Sequence, residues 1–265
     1  MCIDIFSIGR FTIHGYGLMI GLGFFAGVIL ATKLCKIMGL NDDHFINMAI
    51  CVLLFGFAGG KLLFIIVECE NFFEDPLAAL GSSGFVVYGG IITGILSAMI
   101  YCRINKLSIL SYIDVLAPCA ALNQGFGRLG CLMAGCCYGR ETTGPLYLVF
   151  PEGCLAPAGV HLFPSQILSA IANLFSAAIL IVILKKTKTR GFTLSMYLLF
   201  YSVGRFLIEF TRNDPRGSVG ALSTSQFISI FIFILAIVSI FLVKKFNIPV
   251  ERLSLNSDQE EEKGI

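Results

Sequence analysis

The sequence predicts an all-α, polytopic membrane protein with seven transmembrane helices, on the basis of composition, apolar run length and charge distribution. Of its 265 residues, 56% are hydrophobic and only 14% are charged, whereas a soluble domain carries roughly a quarter charged residues. Apolar runs of about 20 residues, the length that spans a bilayer, occur at 16–34, 45–67, 85–102, 112–133, 164–184, 192–210 and 225–243.

The basic residues are unevenly divided between the two sets of connections. Alternate connections and the C-terminal segment hold Lys33, Lys36, Arg103, Lys106, Lys185, Lys186, Lys188, Arg190, Lys244, Lys245, Arg252 and Lys263. The opposite loops hold only Arg10, Arg140, Arg212 and Arg216, and one of them carries Glu68, Glu70, Glu74 and Asp75. Because basic connections stay in the cytoplasm, we expect the N-terminus outside and the C-terminus inside, a parity that seven spans satisfy.

One membrane domain is expected over residues 1–246, followed by a polar, disordered cytoplasmic tail over 247–265. The outer connection 140–163 contains prolines and glycines and is expected to form a small cap. Glycines and polar residues in the fourth run invite a break in its helix. No cleavable signal peptide is expected, since the N-terminus has neither a basic start nor a small-residue cleavage site. The net charge of +2 gives no indication of a nucleic-acid partner.

Three basic residues lie inside predicted spans: Lys61, Arg128 and Arg205. A charge near the bilayer centre costs several kcal/mol unless it is paired or reaches the surface, so each is a functional candidate. At 1.5 Å of rise per residue, Arg128 and Arg205 lie about 21 Å, and Lys61 about 24 Å, from the cytoplasmic ends of their helices. That depth is in the outer half of a hydrocarbon core of about 30 Å. The alternatives are that Lys61 extends to the interface and that Arg205 forms a purely structural pair.

Other polar residues and glycines are expected at the same depth, and together they predict an outward-facing pocket. They are His14, Tyr16, Tyr88, Gly89, Gly90, Gln166, Glu209, Arg212 and Gln226. The i,i+4 spacing lets Arg205 pair with Glu209. Because arginine forks match phosphate oxygens, the predicted ligand is a phospholipid. Alternatively, Arg212 anchors at the interface and the glycines serve close helix packing.

An ordered series of motifs resembles one family over almost the whole chain. The series is IFSIGRFTIHGYGLMIGLGF near the N-terminus, GGKLLF at 59–64, GRLG at 127–130, PSQ at 164–166 and RFLIEFTR at 205–212, followed by Ser225 and Gln226. In this order the motifs resemble those of bacterial phosphatidylglycerol–prolipoprotein diacylglyceryl transferases.

The resemblance implies a seven-span transferase of the bacterial plasma membrane whose site faces outward. It would move the diacylglyceryl group of phosphatidylglycerol to the lipobox cysteine in the signal peptide of a prolipoprotein, forming a thioether and releasing glycerol phosphate. The resemblance gives Arg128 the role of the essential arginine, and arginines would stabilise the leaving phosphate. The catalytic candidates are Arg128, Arg205, Tyr88 and His14, and no cofactor is expected.

The chain departs from the family pattern at several positions. Lys61 replaces an arginine, Tyr88 and Phe163 replace histidines, and Cys131 and Cys136 replace an asparagine and a glutamate. A tyrosine with a pKa near 10 is a poor general base at neutral pH. The alternative prediction is therefore a non-catalytic relative that binds anionic lipid, as a chaperone or a transporter, although no inverted repeat supports a transporter. The retained arginines, glutamate and glutamines favour the transferase.

Three clustered cysteines, Cys131, Cys136 and Cys137, leave alternatives open. They are small packing residues, or Cys136 or Cys137 bridges to Cys154 on the oxidising side; a bridge between the adjacent Cys136 and Cys137 would be strained. A third alternative is that one cysteine, with its pKa lowered by Arg128 or Arg140, is a nucleophile that accepts the lipid group transiently. No metal site is expected, because C-x4-C-C lacks the usual zinc spacing and the nearest histidine, His161, is distant in sequence.

Overall fold

A computed structural model describes residues 4–8, 11–67, 86–213, 218–219 and 222–250. In these residues it contains two short antiparallel hairpins, β1 (Asp4–Ile8) with β2 (Phe11–His14) and β3 (Ser218–Val219) with β4 (Leu222–Ser223). The helices are α1 (Gly15–Met38), α2 (Asp42–Val67), α3 (Val87–Ile104), α4 (Ile109–Ala134), α5 (Ser165–Lys186), α6 (Phe192–Glu209) and α7 (Thr224–Phe246).

Each predicted apolar run corresponds to one of these seven helices. The predicted break in the fourth run is wrong, because α4 is continuous through its glycines and through Pro118. Two of its glycines face neighbouring helices: a Cβ on Gly125 would lie 2.8 Å from the Leu174 side chain, and one on Gly130 would lie 3.2 Å from Tyr16. Small residues let helices approach closely, so these glycines bring α5 and α1 against α4 without interrupting it.

The outer surface of the helices suits a lipid environment. Four helices, α1, α2, α5 and α7, are long and apolar enough to cross a membrane, and α3 is a shorter apolar helix over Tyr88–Ile104. Large apolar side chains such as Phe57, Phe175 and Phe241 are about two-thirds exposed. Water-soluble proteins rarely expose such extensive apolar surface, so the chain is a multi-pass membrane protein.

The helices form two groups. In the first, α2 packs on α3 so closely that a Cβ on Gly89 would overlap the Gly59 carbonyl oxygen. In the second, α1 and α5 flank α4, α6 packs against α4 and α5, and α7 packs on α6. The two groups meet at the end of the bundle that carries the α1–α2 and α3–α4 loops. A buried core there includes Leu34, Met48 and Tyr112.

A buried carboxylate at that same end fixes the start of α6. Asp114 is 2% exposed, and its oxygens accept hydrogen bonds from the backbone N–H groups of Gly191 (2.6 Å) and Leu194 (2.8 Å). The first N–H groups of a helix have no partner within it, so such acceptors stabilise its start. Residues 247–250 pair with the adjoining α5–α6 loop through Ile248 and Val250; the rest of the predicted tail lies outside the described residues.

The segment between α4 and α5 folds over the other end of α4. Its backbone is held by short antiparallel bridges of Leu162 with Glu141 and Leu148. A small core of Leu132, Phe150, Ala156 and Leu162 lies beneath it. The segment is also tied to the end of α6, because the Arg140 N–H donates to the Thr211 carbonyl oxygen at 2.9 Å. This connection positions the cysteine-rich turn described below.

Candidate active site

A cavity of about 460 Å³ lies among α1, α4, α5 and α6. Its walls combine apolar side chains with two arginines and several neutral polar groups. The lining residues are Tyr16, Gln124, Gly127, Arg128, Cys131, Leu168, Ser169, Ala172, Asn173, Ser176, Phe200, Tyr201, Gly204, Arg205, Leu207, Ile208 and Thr211. Of the predicted site residues, the structure brings Arg128, Arg205, Tyr16 and Cys131 together here.

The half-buried Arg128 projects from α4 and lines the cavity. It forms no salt bridge or hydrogen bond with the residues that the structure describes. An uncompensated charge within a membrane protein is costly. The arrangement therefore favours binding of an anionic ligand, whose negative charge would pair with the Arg128 guanidinium.

The guanidinium of Arg205, on α6, has one side-chain partner on its own helix and another on α7. Its Nη1 lies 2.9 Å from Glu209 Oε2, and both side chains are about a tenth exposed or less. Its Nη2 donates a hydrogen bond to Ser225 Oγ at 2.6 Å. The predicted i,i+4 pair with Glu209 is confirmed. These two contacts hold the guanidinium on the cavity wall.

A tight turn after α4 brings three thiols together. Gly135 ends the helix with φ 68°, and the Cys136 N–H donates to the Cys131 carbonyl oxygen at 3.1 Å. This six-to-one bond belongs to the Schellman ending of a helix, which favours glycine at the left-handed position. The next turn residue, Cys137, also has positive φ (58°), a conformation that costs a non-glycine residue of order 1–3 kcal/mol. The Sγ atoms of Cys131, Cys136 and Cys137 all lie within 4.8 Å of one another.

The start of α5 holds the backbone of this turn. Ser165 Oγ donates to the Cys137 carbonyl oxygen and Gln166 Nε2 donates to the Cys136 carbonyl oxygen, each at 3.1 Å. Both side chains are 1% exposed. The structure thus places the predicted phosphate ligand Gln166 beneath the turn, where it positions the cysteines.

The thiols of the turn have different electrostatic environments. Hydrogen bonding with Cys131 and Cys136, together with the adjacent Arg212 guanidinium, lowers the pKa of the Cys137 thiol. The neighbouring thiols and burial raise the pKa of Cys136. Arg212 is itself buried at 6% exposure. No disulfide joins any two of the eight cysteines in the described part of the chain, so the predicted alternative of a bridge to Cys154 is not formed.

Several other predicted site residues lie away from the cavity. Lys61 lies on α2 with its Nζ 5.0 Å from the centre of the Phe64 ring, and Tyr88, at the start of α3, is 70% exposed. Gly89 is buried against α2, and its neighbour Gly90 lies in the same α2–α3 contact, where its carbonyl oxygen would lie 3.4 Å from a Cβ on Gly56. The predicted convergence with Arg128 therefore does not extend to the α2–α3 group, since equal depth does not place residues on the same side of a bundle.

Two further predicted residues lie at helix starts. Gln226 forms a capping box with Ser223: its backbone N–H donates to Ser223 Oγ at 3.2 Å, and its Oε1 accepts from the Ser223 N–H at 3.1 Å. His14 is the exposed residue that precedes α1. It lies two residues before the cavity-lining Tyr16.

Sequence reasoning missed polar residues on α4, α5 and α6 that line the cavity. Asn173 donates to the Ser169 carbonyl oxygen at 2.8 Å, and Gln124 donates to Tyr197 Oη at 2.8 Å. The sequence does indicate the residues on α5, because small polar residues recur at 169, 173 and 176, a spacing that places them on one face of a helix. They make one wall of the cavity polar.

The chain is similar to proteins of one family over most of its length. The sequence model of the family described as prolipoprotein diacylglyceryl transferase matches residues 4–242. A phosphatidylglycerol–prolipoprotein diacylglyceryl transferase of Clostridium tetani is 46% identical over 235 residues, 88% of this chain and 94% of the relative. The relative from Clostridium perfringens, with the same name and the number 2, is 48% identical over 224 residues, 84% of this chain and 88% of its own. These matches confirm the resemblance inferred from the ordered motifs.

Proposed function

The chain belongs to the prolipoprotein diacylglyceryl transferase family, and we propose that it transfers the diacylglyceryl group of phosphatidylglycerol to the lipobox cysteine thiol of a prolipoprotein. Membership favours this transferase over a non-catalytic lipid-binding protein. The single observation that carries the proposal is the cavity in which Arg128 and Arg205 both lie.

The cavity suits the headgroup of an anionic phospholipid. Arg128 has no partner among the described residues and would bind the phosphodiester oxygens, whereas Arg205 is oriented by Glu209 and Ser225. Arginine presents donors in a rigid fork that matches phosphate. Leu168, Leu207 and Ile208 on the same walls would contact the glyceryl and acyl parts of the donor.

In the proposed reaction the acceptor sulfur attacks the glyceryl carbon that carries the phosphate. An S–C bond forms and the C–O bond to phosphate breaks, so that the phosphate oxygen keeps the electron pair and negative charge grows on it. Arg128 and Arg205 would stabilise that charge, and donors positioned where charge develops are a large source of catalysis. Tyr88 is exposed outside the cavity, which disfavours it as the base that takes the thiol proton. His14, two residues before the cavity-lining Tyr16, is the other candidate for that role.

We further propose that all seven helices cross the plasma membrane of a bacterium, with the N-terminus and the cavity towards the outer side. The distribution of Lys and Arg between the connections supports this orientation. Helix α6, with 18 residues, would reach about 27 Å, close to the hydrocarbon thickness. Arg205 then lies near the outer end of α6, within reach of lipid headgroups and of a signal peptide emerging on that side.

An assay with the full chain in phosphatidylglycerol vesicles tests the proposal. A peptide with a lipobox cysteine should gain the mass of a diacylglyceryl group in thioether linkage, and the same peptide with serine should gain nothing. Arg128→Ala should lower kcat/KM by about 10²–10³, the usual effect of losing a donor to developing charge. Arg103→Ala, at an exposed position near the end of α3, is the matched control and should retain activity.

Two results would contradict the proposal. If inserted wild-type protein yields no thioether product, the transferase function is wrong. If Arg128→Ala is as active as Arg103→Ala, the reaction does not use this cavity.

A further inference from the structure

The thiols of Cys131, near the end of α4, and of Cys136 and Cys137, in the turn that follows, form a compact group beside the cavity. We propose that Cys131, Cys136 and Cys137 bind one thiophilic metal ion, Zn²⁺ or an ion of the same class, and that its remaining coordination position takes the acceptor thiol. The second half of this inference rests on the proposed transferase function.

The spacing of the sulfur atoms is close to that of a metal site. Their Sγ atoms lie within 4.8 Å of one another. A tetrahedral ion with Zn–S bonds of about 2.3 Å separates its sulfur ligands by about 3.8 Å, so closure requires side-chain movements of about 1 Å. The C-x4-C-C spacing did not predict such a site, because zinc motifs are usually recognised from paired ligands with other separations.

The fold brings the three sulfur atoms together through a backbone conformation that costs free energy. The Schellman ending at Gly135 turns Cys136 back over Cys131, and Cys137 adopts a left-handed conformation unfavourable for a side chain. Two buried polar residues, Ser165 and Gln166, bond to the carbonyl oxygens of Cys137 and Cys136. Packing alone does not require three thiols on one strained, externally braced turn.

The surrounding charge favours a metal-thiolate group. Three thiolates and a dication carry a net charge of −1, which becomes −2 when a fourth thiolate binds. Arg212, almost fully buried, lies against Cys137, and Arg128 is one helical turn before Cys131. Both arginines would offset that negative charge.

The number of ligands indicates an open site. Within the described part of the chain, no fourth Cys, His, Asp or Glu joins the group. Structural zinc sites are closed by four protein ligands, whereas catalytic sites use three and leave one position for water or substrate. Cys131 also lines the cavity with Arg128 and Arg205, so the open position lies beside the place where the phosphodiester would bind.

Metal coordination would generate the nucleophile without a histidine. A thiol that binds zinc loses its proton, which passes to water. The bound sulfur then forms the S–C bond with the glyceryl carbon, while the C–O bond breaks and glycerol phosphate leaves with the electron pair. This step supplies the thiolate that Tyr88, exposed on α3, is poorly placed to produce.

The test begins with the metal content of the full chain, purified in detergent without chelators and measured by elemental mass spectrometry. We expect about one zinc ion per chain. Cys131→Ser, Cys136→Ser and Cys137→Ser should each lose most of it. Cys154→Ser is the matched control: this cysteine belongs to the same connection but not to the group, and its variant should retain the metal.

A cobalt-substituted wild-type chain then tests the open position, independently of how the variants fold. Cobalt bound by three thiolates should show sulfur-to-metal charge-transfer absorption. In the absence of phosphatidylglycerol, a lipobox cysteine peptide should raise that absorption by about one third, since a fourth thiolate joins three. The serine peptide should leave the spectrum unchanged.

The results separate this inference from the proposed function. If the wild-type chain neither retains zinc nor binds added cobalt, or if mass spectrometry finds two of the three cysteines in a disulfide, the metal site is refuted even where transferase activity is present. If the cobalt absorption does not change when the cysteine peptide is added, the role of the metal in binding the acceptor is refuted. Bound metal with a spectrum that responds to the peptide, in a chain that forms no thioether, refutes the proposed transferase instead.

Discussion

The two helix groups of this protein place the basic residues of their helices in different surroundings. Arg128 and Arg205 share a cavity with neutral polar groups, whereas Lys61 on α2 lies over the ring of Phe64 in a pair of helices held together by glycines. The cleft between α2 and α3 is almost wholly apolar, with Phe55, Leu62 and Ile100 among its lining residues. The difference supports the proposal that the chemistry belongs to α4, α5 and α6, while α2 and α3 would provide apolar surface for lipid.

Removing Arg205 should have the largest effect on the group of α1, α4, α5, α6 and α7. Arg205→Ala leaves Glu209 buried and unpaired, and breaking a buried pair costs about 3–5 kcal/mol. The thermal unfolding temperature in detergent and the transferase activity should therefore both fall.

A double variant separates the two losses. Arg205→Met with Glu209→Gln removes both charges and should recover much of the stability without recovering activity. Full activity in the double variant would mean that Arg205 serves only the fold.

Gly135→Ala should have a smaller but clear effect on the cysteine turn. Its left-handed φ disfavours a side chain by an amount of order 1–3 kcal/mol, and a Cβ would lie 2.9 Å from the Cβ of Cys154. We expect reduced stability and altered reactivity of the three thiols towards iodoacetamide. Gly144→Ala, in the same connection but without positive φ, is the control, and equal effects of the two substitutions would contradict the structural role of this turn.

Substitutions in the α2–α3 group should have the smallest effects on catalysis. Lys61→Ala and Tyr88→Phe should each change kcat/KM by less than about threefold, which corresponds to about 0.7 kcal/mol of barrier. The same vesicle assay measures them. A loss as large as that of Arg128→Ala would show that this group reaches the reacting atoms, and would remove the contrast between the two groups.

The sequence was informative wherever a local rule determines the result. Apolar run length predicted all seven helices, and i,i+4 spacing predicted the pair of Arg205 with Glu209. Depth along a helix also predicted that Arg128 and Arg205 share a level, and they do line one cavity.

Local sequence patterns were insufficient wherever tertiary packing determines which residues lie together. Depth says nothing about lateral position, so Lys61 and Tyr88 were expected at a cavity that they do not line. A polar residue at a helix start can cap the helix or hold a loop, as Gln226 and Gln166 do, and composition does not separate those roles from ligand binding. The convergence of the cysteines depends on the left-handed turn at Gly135 and Cys137, which ligand-spacing rules do not describe.

Photocrosslinking with a phosphatidylglycerol analogue that carries a diazirine in its headgroup tests the central claim most directly. We predict adducts within 124–131, 168–176 and 200–211, competed by unlabelled phosphatidylglycerol and strongly reduced in Arg128→Ala. Adducts concentrated on α2 and α3 around Lys61 and Tyr88, and unchanged in Arg128→Ala, would contradict the assignment of the donor site to this cavity.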